Sequence, residues 1–124
     1  MRIEDLATPC LVLDPVRMDR NIARMDAKLA VLGVAARPHL KTAKNAEIAR
    51  RMMRSAAGRA TVSTLAEAEA FADAGVRDIL YAVGIAPGKL ARVVELRRRG
   101  IDLSIILDSE EQARAVADAC RAHG

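Results

Sequence analysis

Apolar residues in this chain fall into short runs separated by longer amphipathic stretches. Residues 10–13 (CLVL) are the first such run and predict a strand. Asp14 follows as a helix N-cap, with Pro15 at the first helical position, where its missing N–H is not needed. Met18, Ile22, Met25, Leu29 and Leu32 then recur every three or four residues, forming one stripe of a helix that stops at Gly33.

Residues 34–40 predict a second strand, and residues 45–57 a helix ended by Gly58. A short strand at 60–63 leads into Thr64-Leu65-Ala66-Glu67, a capping box that opens a helix to Ala74, closed by Gly75. Residues 78–83 (DILYAV) predict a strand, and Pro87 opens a helix running to Gly100. Residues 103–107 predict the last strand. Ser109-Glu110-Glu111-Gln112 is a second capping box and opens the final helix. Both boxes read as structural.

From residue 34 onward the pattern is four βα units of about 20–25 residues each, the signature of a parallel sheet. The expected fold is α/β: four consecutive βα units of a (β/α)8 TIM-type barrel, preceded by one strand and one helix. A whole barrel takes eight units and about 250 residues, so this is half of one. Residues 1–33 are the N-terminal strand and helix, and 34–124 the partial barrel. Four barrel strands leave two sheet edges unpaired, so a homo-oligomer or a missing C-terminal half is expected.

Composition narrows the function classes. The chain is 52% apolar with one Phe, one Tyr and no Trp, which predicts an aliphatic core. Its net charge of +4 comes largely from arginines on helical segments, interleaved with acids such as Glu47 and Glu95. Base-stacking aromatics are scarce, which argues against nucleic acid. The modest positive balance also suits a small anionic cofactor. Cys10 and Cys120 have no CxxC spacing, so neither a metal motif nor a disulfide framework is expected. No apolar run is long enough for a membrane span or signal peptide, and a cytoplasmic protein is expected.

Candidate chemistry lies in residues 37–44 (RPHLKTAK). On an extended backbone Arg37, His39 and Lys41 share one face, and Pro38 and Leu40 the other. Pro38 lacks a donor and marks a local irregularity. Three basic groups on one inward face call for an anionic ligand. Positive neighbours also favour the neutral amine of Lys41, the form that condenses with an aldehyde. Lys41 falls at the C-terminal end of its strand, where βα folds bind ligands. Spacing alone equally allows a solvated loop lysine at 41, a satisfied rim histidine at 39, and a helix-start charge at Lys44. Gly84 and Gly88 flank a loop that could approach a phosphate, though no phosphate-loop pattern surrounds them.

Four stretches together carry a resemblance: TPCLVLD at 8–14, RNIARM at 20–25, RPHLKTAK at 37–44, and TVSTLAEAEAFADAGVRDILYA at 61–82. In combination, over about residues 7–95, they resemble the opening of the D-threonine aldolase and D-serine dehydratase group. These are fold-type III pyridoxal-phosphate (PLP) enzymes with an alanine racemase-like barrel. The resemblance implies PLP as cofactor, with Lys41 as the Schiff-base lysine, His39 lining the site and Arg37 supporting it electrostatically. It implies a lyase or aldolase acting on small D-amino acids or D-β-hydroxy amino acids. It also implies a divalent metal, whose ligands in the family lie near the C-terminus. No residue here is assigned to that metal, and His123 does not match the motif. The family often has a histidine where this chain has Ala43. The alternative reading is a truncated, non-catalytic half-barrel that self-associates, with or without residual PLP binding.

Overall fold

Strands form where aliphatic and β-branched residues run without proline. The computed structural model, which describes residues 2–53 and 58–123, has β1 (Arg59–Val62), β2 (Asp78–Gly84) and β3 (Asp102–Ile106). They make a parallel sheet in the order β1-β2-β3. Ala60, Ile79 and Leu103 lie side by side in one row, and Val62, Tyr81 and Ile105 in the next row on the same face. That face is dry. Ala60, Val62, Ile79 and Tyr81 are completely buried.

The covering layer is α3 (Leu65–Asp73), α4 (Leu90–Arg98) and α5 (Glu110–His123). Thr64 caps α3 by accepting the Glu67 N–H, and the helix buries Leu65, Ala68, Phe71 and Ala72. A single 3-10 turn at Pro87–Lys89 leads into α4, which buries Leu90, Val93 and Leu96 at helical spacing. Helix α5 has no buried residue, but Ala115, Val116 and Ala119 pack against the core. Tyr81 brings a hydroxyl into this layer, where Lys89 Nζ donates to it at 3.0 Å, so the oxygen is not left unpaired.

The opposite sheet face carries the row Thr61, Leu80 and Ser104. Leu80 is half-buried and Ser104 exposed. In a (β/α)8 barrel this row is an interior layer of side chains.

Two predicted strands fail, for the same physical reason: a strand needs partners for its backbone groups. Residues 10–13 form no strand, and Leu11, Val12 and Leu13 are exposed. The strand predicted at 34–40 reduces to one parallel bridge between His39 and Thr61. Thr61 N–H donates to Pro38 O at 2.8 Å, and Leu40 N–H donates to Thr61 O at 2.9 Å. Pro38 has no N–H to carry the ladder back toward Arg59. In the other direction Leu40 O accepts the Lys44 N–H at 3.0 Å, and the Glu67 carboxylate takes the Ser63 N–H at 2.8 Å. The ladder is stopped at both ends.

The helices before the sheet are α1 (Pro15–Leu32) and α2 (Ala46–Met52). The α1 signals are met: Asp14 accepts the Arg17 N–H, and Gly33 adopts φ 64. Its apolar stripe is only half-buried at Met18, Ile22 and Leu29, while Met25 and Leu32 are exposed. Arg51 ties α2 to α1 through Asp19 at 3.0 Å. Helix α2 ends earlier than predicted, and residues 54–57 lie outside those described. The four βα units are therefore three strands and a bridge, all parallel. The α/β fold class stands.

Candidate functional site

All three strands point their C-terminal ends toward one edge of the sheet, and the bridge at His39 adds residues 39–44 to it. His39, half-buried, makes two contacts there. The Lys41 N–H donates to its Nδ1 at 3.3 Å, and its Nε2 lies 3.4 Å from Ser63 Oγ. Both ring nitrogens of His39 thus face a hydrogen-bonding group, Nδ1 the Lys41 N–H and Nε2 the serine oxygen. His39 pairs with Thr61, whose β2 partner is Leu80, so it belongs to the open inner face.

Lys41 lies one step further along. Its neighbour Leu40 is buried to 1% exposure, whereas Lys41 is exposed. Among the described residues its ammonium has no ion-pair or hydrogen-bond partner. An accessible, unpaired amine at the C-terminal edge of a parallel sheet fits an aldehyde cofactor that must reach a lysine.

Lys44 and Glu67 complete the edge. Glu67 Oε1 lies 3.2 Å from Lys44 Nζ, and the Glu67 side chain is 9% exposed. Burial alone would push its carboxyl up. The Ser63 N–H, the Lys44 ammonium and the Thr64 N–H together outweigh that and hold it below its ordinary value. Asp108, just after β3, places its carboxylate beside Gly84: a Cβ there would meet Asp108 Oδ2 at 2.8 Å. The Asp108 carboxylate thus occupies the space that a Cβ at Gly84 would take. Gly88 has open space around it.

Arg37 is not part of this cluster. It forms a bidentate pair with Asp78 at 2.6 and 3.0 Å, and also donates to Ala60 O at 3.3 Å. Asp78 begins β2, at the opposite end of the sheet. The sequence placed Arg37, His39 and Lys41 on one face. The structure sets His39 against the Lys41 backbone N–H and pairs Arg37 with Asp78 at the other end of the sheet. Sequence reasoning missed Ser63, Lys44, Glu67 and Asp108. Two of them carried a signal that was read as structural: Lys44, inside the 37–44 stretch, as a helix-start charge, and Glu67, in the Thr64–Glu67 box, as a cap.

The family model for the alanine racemase N-terminal domain matches residues 13–124. The chain belongs to that family. It is 49% identical over 119 residues to D-threo-3-hydroxyaspartate dehydratase of Delftia sp. (strain HT23), covering 96% of this chain and 31% of the relative. It is 37% identical over 123 residues to D-serine dehydratase of Dictyostelium discoideum, covering 94% and 30%. The crystal structure of D-threonine aldolase from Filomicrobium marinum superposes with a TM-score of 0.87 at 31% identity, covering 98% of this chain and 33% of that one. This alanine racemase-type domain therefore spans about a third of the length of the relatives it matches, as their N-terminal portion. No helix among the described residues is long and apolar enough to cross a membrane.

Proposed function

We propose that this domain supplies the cofactor lysine, Lys41, of a PLP-dependent lyase acting on D-amino acids or D-β-hydroxy amino acids. The observation that carries the reading is the exposed, unpaired Lys41 at the C-terminal edge of the sheet, its backbone N–H bonded to His39. The names of the relatives support the substrate class: each is a dehydratase or aldolase of a D-amino acid. PLP, when bound, supplies an electron sink that makes bonds at the Cα and Cβ of an amino acid breakable.

The residues of this chain hold and orient. Lys41 Nζ would hold the PLP aldehyde, and its amine could also take or give a proton there. His39 lines the inner face with its Nε2 next to Ser63 Oγ and offers a hydrogen-bonding group there. Arg37 pairs with Asp78 at the opposite end of the strands and supports the sheet there. The divalent metal is assigned to no residue here; among the described residues no group of three or more His, Cys, Asp or Glu could hold one. A non-catalytic half-barrel that self-associates is the second reading, favoured by exposed Leu11, Val12, Leu13 and Ile106. Light scattering tests it: a lasting monomer argues against it.

The test of the main reading is a titration with PLP, followed by visible absorption, of the protein and of a Lys41→Ala variant. A lysine-adduct band in the first and not in the second is expected. A band of equal size in both would remove Lys41 from its role.

A further inference from the structure

Lys44 is in an awkward place for a lysine. Its backbone has φ 45, a left-handed conformation that side-chain-bearing residues seldom adopt. It also directly precedes Asn45, the N-cap of α2, where a positive charge opposes the helix dipole. A helix-start charge gains nothing there. What holds Lys44 is Glu67, 23 residues on in sequence, with Nζ and Oε1 3.2 Å apart.

The contacts around that ion pair close into a ring. Glu67 Oε2 accepts the Ser63 N–H, and Ser63 Oγ faces His39 Nε2. His39 Nδ1 accepts the Lys41 N–H, and the Lys44 N–H returns to Leu40 O. Lys41 belongs to the ring through its backbone N–H, and its residue is exposed. Two of these bonds also occupy the Ser63 N–H and Leu40 O, the groups that would continue the parallel ladder past His39. If the ladder continued, residue 41 would stay in the sheet. Because it stops, the chain turns out over residues 40–44.

We propose that Lys44 and Glu67 are positioning residues for Lys41: the Lys44 backbone N–H and the Glu67 carboxylate end the ladder, and the ion pair between their side chains locks the turn that carries the cofactor lysine. This rests on the reading of Lys41 given above and adds how its direction is set. Glu67 does this through the turn and touches neither substrate nor cofactor.

The experiment compares the protein with Lys44→Met, Lys44→Arg, Glu67→Gln and the Lys44→Met/Glu67→Gln double variant. Lys44 is 65% exposed on its side chain, so its variants are expected to fold even if Glu67→Gln does not. One readout is amide hydrogen exchange at residues 41–44 without cofactor. The other is the PLP concentration needed for half-maximal Lys41 adduct. Lys44→Met and Glu67→Gln are each expected to speed exchange and weaken adduct formation by about tenfold. The double variant should be no worse than Glu67→Gln alone, because that change already breaks the pair. Lys44→Arg should stay within about twofold of the unaltered protein. Unchanged exchange and adduct formation in Lys44→Met, with only a lowered melting temperature, would overturn the proposal. If the unaltered protein forms no adduct on Lys41, the assigned function fails, and the exchange result alone decides whether the pair locks the turn.

Discussion

Leu40 is the anchor of the segment that carries the candidate lysine, and replacing it tests whether that segment belongs to the core. The side chain is 1% exposed and sits in the main cluster with Ala49, Met53, Ala60 and Val62. Leu40→Ala removes three buried carbons and leaves a cavity, which costs about 2–5 kcal/mol. A domain of this size has a total stability of about 5–15 kcal/mol, so the loss is a large fraction of it. At roughly 4 °C per kcal/mol the melting temperature should fall by about 10 °C or more. The Leu40 N–H to Thr61 O bond is made by backbone and survives the substitution, so the loss reports packing. Leu40→Met keeps the volume and should cost less than about 1.5 kcal/mol. Urea unfolding followed by circular dichroism measures both variants, with the midpoint shifting and the slope unchanged. A Leu40→Ala loss under about 1 kcal/mol would refute the reasoning, because residues 38–40 would then not be fastened to the sheet.

Arg37→Ala should lower stability by no more than about 1 kcal/mol, since its pair with Asp78 is only partly buried. PLP adduct formation should not change, and a clear loss of adduct would restore Arg37 to the site. Glu67 and Glu69 both titrate below their ordinary value of 4.5, Glu69 through the bidentate Arg92 pair and Glu67 through Ser63 and Lys44 against burial. A folded-state value below the unfolded one means the folded form binds fewer protons. The contribution is therefore present above the ordinary value and lost as pH falls through the folded one. Unfolding curves at about pH 7 and about pH 3 should differ less for Glu67→Gln than for the unaltered protein. An equal difference would show that Glu67 is not held ionised. Gly100 has φ 81 with open space around it, so Gly100→Ala meets no clash but takes on backbone strain of about 1–2 kcal/mol. A neutral or stabilised variant in thermal unfolding would contradict that backbone conformation.

Much of the fold was legible because its signals are local. Asp14 with Pro15, Thr64 with Glu67, and the glycines at 33, 75 and 100 mark helix ends within a few residues of where the structure puts them. Strands β1 to β3 were legible from aliphatic runs between those marks. Residues 10–13 and 34–40 carry the same kind of run, but whether a run becomes a strand depends on a neighbour, which local pattern does not contain. The site divided in the same way. Two-residue alternation described the chain as far as the His39 bridge, but not the turn at 40–43 that carries Lys41 out of the sheet. It had no means of showing that Arg37 meets Asp78, 41 residues away. Lys44 and Glu67 were each explained by a nearby helix start, which hid the fact that they explain each other.

The central claim is that Lys41 is the lysine that binds the cofactor, and covalent trapping tests it most directly. The protein is incubated with PLP, reduced with borohydride, digested and mapped by mass spectrometry. The account predicts one dominant modified residue, Lys41, with Lys44 held back by Glu67 and left unlabelled. Labelling spread across exposed lysines such as Lys28 and Lys44, or concentrated on a lysine other than Lys41, would contradict it.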